Sequence, residues 1–242
     1  MELIQFSDRI WYLPGEQETD RPFLYYLKGD HSSAVIDAGN SGAHVEKLYR
    51  NLRENRLPLP DDTIITHWHW DHTFGLPYIH GTSIASQATN EKLGEVMKWQ
   101  WTEEAMALRE QSGEDIPFCN TCIRREYPDL SQIRVCQADK TVCAPEILDL
   151  GGITLHLIPR DSTHSRDALF VYVPEEAALF VGDADCKDYY DNGGRYDKER
   201  LKKMLLFLES LPYQHHFMGH DIPYTRESIL LELREDLSLL DV

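Results

Sequence analysis

Apolar residues in the N-terminal part of the chain come in short runs broken by turn residues. "LIQFS", "RIWYLP", "FLYYLKG" and "SAVIDAG" are rich in Ile, Val, Tyr and Phe, with Gly, Pro and Asp between them. Runs of this length and composition predict β-strands. The period then changes. In "NSGAHVEKLYRNLREN", Val45, Leu48 and Leu52 recur at helical spacing, with Ser41 placed as an N-cap. "TIIT" (63–66) reads as a short buried strand. From about Ala88 to Gln111 the positions Leu93, Val96, Met97, Trp101, Ala105 and Leu108 predict helix, and residues 112–140 read as loop-rich. Strand-like runs return at "ITLHLIP" (153–159), "ALFVYVP" (168–174) and "AALFVGD" (177–183). "DKERLKKMLLFLESL" (197–211) and "TRESILLELREDLSLL" predict helices on either side of a short strand in "HHFMGHD" (215–221). Strands and helices alternate in both halves, which predicts a layered α/β fold. No repeat or low-complexity linker divides the chain. Residues 1–242 are therefore expected to form a single domain, with a helical, cysteine-containing insert at about 88–140.

Composition narrows the partners. Hydrophobic residues make up 42% and charged residues 27%, an ordinary globular balance. Lys and Arg number 24 against 41 Asp and Glu, a net charge of −17, which repels phosphate backbones and anionic lipids. A small-molecule substrate is expected rather than a nucleic acid, and a homodimer is left open. The N-terminal "MELIQFSDRI" has neither a basic n-region nor an apolar h-region, and no run approaches the roughly 18 apolar residues of a membrane span. The expected compartment is the cytoplasm, with no membrane partner. Five cysteines there argue against a disulfide framework. Cys119, Cys122, Cys136 and Cys143 leave a structural zinc open, although their closing pair is more widely spaced than in a usual zinc ribbon.

The candidate chemistry sits in "THWHWDH" (66–72), directly after a predicted strand. Isolated histidines are mostly surface or satisfied core residues. Three histidines and an aspartate within six positions are a different matter, because imidazole and carboxylate together suit zinc and other borderline divalent ions. In an extended loop, His67 and His69 share a side, while adjacent Asp71 and His72 point apart. One loop can therefore serve two neighbouring ions.

With these residues the chain resembles the metallo-β-lactamase superfamily, whose signature is a His-x-His-x-Asp-His loop after a strand. His67, His69, Asp71 and His72 match it in full. Later motifs follow in order over about residues 23 to 221: His164 in "RDSTHSRD", Asp183 in "LFVGDAD" and His220 in "FMGHD", with Asp37 in "VIDAG" as the early aspartate that supports the metal loop. The third motif departs from the common Gly-His-Thr-Pro-Gly pattern, lacking both the Gly and the Pro. His156 competes with His164, and Asp185 with Asp183; the strand setting of His156 and the Gly-Asp context favour His164 and Asp183.

The resemblance implies a four-layer αββα sandwich of two mixed sheets flanked by helices. It implies two divalent metal ions, zinc first and iron or manganese as alternatives. His67, His69 and His164 would hold one, and Asp71, His72 and His220 the other, with Asp183 bridging. Two cations about 3.5–4 Å apart generate a hydroxide nucleophile near neutral pH. Asp71 and Asp183 are the expected catalytic carboxylates. The implied activity is hydrolysis of an ester, lactone, thioester or amide bond in a small molecule. Alternatives are an iron-dependent oxidoreductase acting on a thiol, persulfide or oxygen, and a phosphodiesterase or ribonuclease. Diiron flavoprotein relatives typically carry Glu at the position of His69, so the three-His set points to a hydrolase. Arg166, Tyr189 and Tyr190 are the candidate substrate-binding residues, and Met97, Trp99 and Trp101 a candidate apolar wall.

Overall fold

A computed structural model describes residues 2–240. Strands β1 (Ile4–Gln5), β2 (Ile10–Leu13), β3 (Leu24–Lys28), β4 (Ser33–Ile36), β5 (Asp62–Ile64), β6 (Thr82–Ser86) and β7 (Lys140–Val142) form one sheet in chain order. It is antiparallel from β1 to β4 and parallel from β4 to β7. Strands β8 (Glu146–Asp149), β9 (Thr154–Pro159), β10 (Leu169–Val173), β11 (Ala178–Gly182), β12 (His215–Met218) and β13 (Tyr224–Thr225) form the second, in reverse order across the sheet. Only β11 and β12 pair in parallel there.

Side-chain alternation decides what each face does. Tyr25 and Leu27 of β3 point inward, where they join Leu169, Val171 and Val173 of β10 and Phe180 of β11 in a core between the sheets. Leu24 and Tyr26 point outward, onto Val45, Leu48 and Leu52 of helix α1 (Gly42–Glu54). Ser41 caps α1 by accepting from the His44 N–H. The short helix α2 (Trp70–Thr73) follows β5. Helices α3 (Gln87–Val96), α4 (Glu103–Ser112) and α5 (Pro117–Glu126) lie between β6 and β7 in the chain. On the second sheet, Phe170, Tyr172 and Leu179 point outward against Leu201 and Leu205 of α6 (Lys198–Ser210) and Ile229 and Leu233 of α7 (Arg226–Leu239). The result is the four-layer αββα sandwich with two mixed sheets. Among the described residues no helix is long and apolar enough to cross a membrane.

The helical reading of 88–111 is corrected to two helices. The chain leaves α3 at Met97, turns through Trp99 and Trp101, and restarts at Thr102, whose hydroxyl caps α4 through the Ala105 N–H. The two indoles hold Arg109 between them, its guanidinium 4.5 and 4.8 Å from their rings. The segment 112–140 contains a helix, α5, which begins with proline in the first turn, where a missing N–H costs little. Cys119, Cys122 and Ile123 of α5 pack with Trp70 and Phe74 of the "HWHWDH" region.

One buried group carries a pH prediction. His44 is fully buried, and neither ring nitrogen has a hydrogen-bond partner among the described residues. Burial pushes it down to about 3, with Arg21 and Lys47 acting in the same direction and Glu16 against them. An unfolded histidine titrates near about 6.5. Between those values only the unfolded chain gains the proton, so stability is full above pH ~6.5 and falls as pH drops toward ~3. The fall reaches up to about 1.4 kcal/mol per pH unit from this one group. Urea midpoints of the protein and of His44→Leu, compared from pH 7 to 4.5, are expected to show a shallower acid limb in the variant. Parallel limbs would refute the assignment.

Candidate metal centre

The parallel strand pairs β4–β5 and β11–β12 end on the same edge of the sandwich, the place where open α/β sheets present their ligand sites. Asp37 follows β4, His67 and His69 follow β5, Asp183 follows β11 and His220 follows β12. His164 comes from the loop between β9 and β10. Chain direction thus delivers residues far apart in sequence to one spot.

The structure brings them together as two groups. Ligand atoms of His67, His69 and His164 lie within 4.8 Å of one another, and so do those of Asp71, His72, Asp183 and His220. Asp183 Oδ2 reaches toward both. It is 3.4 Å from His72 Nε2, 3.4 Å from His220 Nε2 and 3.8 Å from His164 Nε2. His164 Nε2 and His69 Nδ1 stand 2.9 Å apart, and His220 Nε2 is 3.0 Å from Asp71 Oδ2. Gly219 allows this packing: a Cβ there would sit 2.2 Å from Asp183 Oδ1 and 2.8 Å from His72 Cε1.

The residues fit divalent metal. His67 Nε2 and Asp183 Oδ1 are buried with no hydrogen-bond partner among the described residues, and His72 Nε2 faces Asp71 Oδ2 at 2.9 Å. The opposite nitrogens of three rings are held by neighbours: His72 Nδ1 by Asp37 Oδ2 at 2.7 Å, His164 Nδ1 by the Lys187 carbonyl at 2.7 Å, and His67 Nδ1 by Thr66 Oγ1 at 3.1 Å. That pattern fixes ring orientation and aims the free nitrogen at a cation. Burial pushes His67 and His69 well below the usual imidazole range, so both are neutral, the form that ligates. Around Asp71 and Asp183 the balance reverses. Burial disfavours the charged imidazole, yet the two carboxylates outweigh it and raise His72 and His220. Two buried carboxylates need positive charge beside them, which a divalent cation would supply.

Above these groups lies a cavity of about 400 Å³. Ile116, Phe118 and Cys119 of the α5 region form one side of it, and Cys186, Tyr189 and Tyr190 another. The expected apolar wall of Met97, Trp99 and Trp101 is not there. The two indoles are engaged with Arg109, and Met97 is solvent-exposed. Ile116 and Phe118 take that place; a loop-rich reading of 112–140 hid them. Arg166 lines a different cavity and points to Asp191 at 3.6 Å. Tyr189 is exposed, whereas the Tyr190 hydroxyl reaches Asp115 Oδ1 at 3.3 Å and Cys119 Sγ at 3.5 Å. His156 sits within β9 against Tyr172, and Asp185 is buried on His216 at 2.7 Å. Neither belongs to the two groups. Among the described residues no group of three or more metal-ligating side chains contains a cysteine.

Two contributors escaped the sequence reading. Asp20 lines the cavity, with Oδ1 3.7 Å from His220 Nδ1. Burial raises it to about 7, Asp71 adds to the rise and His220 opposes it. A lone aspartate in a loop gives no sequence signal. Asp167, next to Arg166, accepts from the Trp68 N–H at 2.9 Å and from the Thr89 hydroxyl at 2.7 Å, bracing the "HWHWDH" loop from behind. The doubled acid in "RDSTHSRD" was its only trace.

Comparison with known proteins agrees with this arrangement. The sequence matches the model of the metallo-beta-lactamase superfamily over residues 20–220. It is 22% identical over 207 residues to an atrochrysone carboxyl ACP thioesterase of Aspergillus fumigatus, covering 86% of this chain and 53% of that protein. The chain thus spans about half the length of that curated relative. It superposes on a metallo-beta-lactamase from Pontibacter korlensis with a TM-score of 0.63 at 16% identity, covering 98% of each chain. It also superposes on a stereoselective inverting sec-alkylsulfatase from Pseudomonas sp. with a TM-score of 0.69 at 14% identity, covering 98% of this chain and 41% of that one. At those identities the likeness speaks for the fold. With the family model spanning every candidate ligand position from His67 to His220, the chain belongs to the metallo-beta-lactamase superfamily.

Proposed function

We propose that the chain is a dinuclear metal-dependent hydrolase that cleaves an ester, lactone, thioester or amide bond of a small molecule. The observation that carries this is the pair of adjoining ligand groups, with Asp183 Oδ2 of one facing His164 Nε2 of the other at 3.8 Å, beneath a cavity with an apolar side. Two cations, zinc in the first place, would supply Lewis acidity and an acidified water. His67, His69 and His164 would hold one of them and Asp71, His72 and His220 the other, with Asp183 facing both sets of side chains. Asp71 is kept ionised by His72 and His220 against its burial, and its carboxylate orients the attacking water. Ile116 and Phe118 receive the apolar part of the substrate. Tyr189, whose side chain is exposed at the cavity, donates to the substrate carbonyl, because the Tyr190 hydroxyl is engaged elsewhere.

Two further observations support acyl rather than phosphoryl or sulfuryl transfer. No Lys or Arg lines this cavity among the described residues, whereas anionic ester oxygens call for basic partners. The Aspergillus fumigatus relative is named as a thioesterase. The test begins with elemental analysis of protein purified without added metal, which is expected to find about two zinc per chain. Chelation is then expected to abolish cleavage of acyl thioesters and p-nitrophenyl esters, and zinc to restore it. Iron with thiol-dependent oxygen uptake, or cleavage confined to phosphodiesters, would overturn the proposal.

A further inference from the structure

A second cavity of about 370 Å³ adjoins the first. The two share three lining residues: His69, His164 and Tyr190. The histidines are committed to the metal groups, so Tyr190 is the one removable part of the shared wall. Its ring packs on His69 at 4.8 Å and on Trp68 at 5.0 Å. Trp68 lines only the second cavity, and Cys119, which the Tyr190 hydroxyl reaches, lines only the first. Tyr190 therefore stands between the two spaces. It is also fixed from its own backbone. Asp188 accepts from the Tyr190 N–H at 3.1 Å and the Asp191 N–H at 2.8 Å, and is itself held by buried Arg200 at 2.7 Å. A side chain anchored at both ends is a wall rather than a mobile lid.

We infer that the Tyr190 side chain is the partition that sets the length of the acyl chain the site accepts. The inference rests on the hydrolase reading for its choice of substrate. With Tyr190 in place, an acyl group ends against the ring. Without it, the chain runs on along Trp68 and Ala88, the apolar wall of the second cavity, whose other side carries Lys92, Glu114, Arg166 and Asp191. Each methylene laid against that apolar wall adds up to roughly fourfold to affinity.

The experiment compares the wild type with Tyr190→Phe, Tyr190→Ala and Tyr190→Leu. Hydrolysis of p-nitrophenyl esters from butanoate to dodecanoate is measured, along with binding of the matching carboxylic acids by calorimetry. Tyr190→Phe retains the ring and is expected to keep the wild-type length optimum. Tyr190→Ala is expected to raise the dodecanoate-to-butanoate ratio at least roughly tenfold, both in kcat/KM and in affinity. Tyr190→Leu covers the case in which the alanine variant fails to fold. An unchanged ratio in the truncated variants, or a shift as large in Tyr190→Phe, overturns the partition. If none of the proteins cleaves any ester, the hydrolase reading fails, and the binding ratio still decides the partition by itself.

Discussion

Asp183→Ala is expected to lower hydrolysis by about a thousandfold or more and to leave the protein with at most about one metal per chain. Asp183 Oδ2 is the carboxylate oxygen that faces both groups, within 3.4 Å of His72 and His220 Nε2 and 3.8 Å of His164 Nε2. The three-histidine group keeps its own donors when Asp183 is lost, so one ion remains bindable there. The other group loses a carboxylate, and the Nε2 atoms of His72 and His220 are left facing Asp71 Oδ2 at 2.9 and 3.0 Å. Asp183→Asn separates charge from shape. It keeps an oxygen in place and fits beside Gly219, where the approach of Oδ1 leaves no room for a larger group. Intermediate metal content with activity as low as in Asp183→Ala would show that the charge is what matters. Elemental analysis and turnover on one ester check both variants. Full activity in either would remove Asp183 from the site.

Much of this arrangement was legible because it is written locally. The "HWHWDH" loop concentrates four candidate ligands behind a strand, and the Gly-Asp and Gly-His pairs mark strand ends where the backbone must come close. Alternation in β3 and β10 and helical spacing in α1 also read directly, since one face of each is buried against a defined layer. The parts that did not read depend on partners distant in sequence. β7 and β8 are short and largely exposed, so burial leaves little pattern on them. The break between α3 and α4 is set by Trp99 and Trp101 closing on Arg109, a contact invisible to periodicity. Asp20 enters the cavity from a turn with φ of 55° and owes its environment to Asp71 and His220. Tyr189 and Tyr190 are adjacent in sequence and opposite in role, because Asp188 and Arg200 decide which ring faces inward.

Asp37 offers the sharpest separation between stability and metal binding. It is buried and accepts three hydrogen bonds: the Thr66 N–H at 2.7 Å, the Thr66 hydroxyl at 2.9 Å and His72 Nδ1 at 2.7 Å. Its backbone is left-handed, with φ of 64°, a conformation that Asn and Asp tolerate better than Ala. Asp37→Ala strands all three donors and is expected to cost about 3–5 kcal/mol of stability, measured by urea unfolding of metal-free protein. Asp37→Asn should lose less, within about 2 kcal/mol, because its oxygen still accepts from the Thr66 N–H. Its amide group, however, turns a donor toward His72 Nδ1. That nitrogen must then accept, which moves the ring proton to Nε2, the atom that faces Asp71 and Asp183. The proton occupies the lone pair a metal would take. Asp37→Asn is therefore expected to weaken metal binding by roughly 10–100-fold while the fold survives, read by competition with a chromogenic chelator. Metal affinity equal to the wild type would mean that the carboxylate braces the loop without setting the His72 tautomer. A weakened site in a stable protein would assign Asp37 the control of that ring.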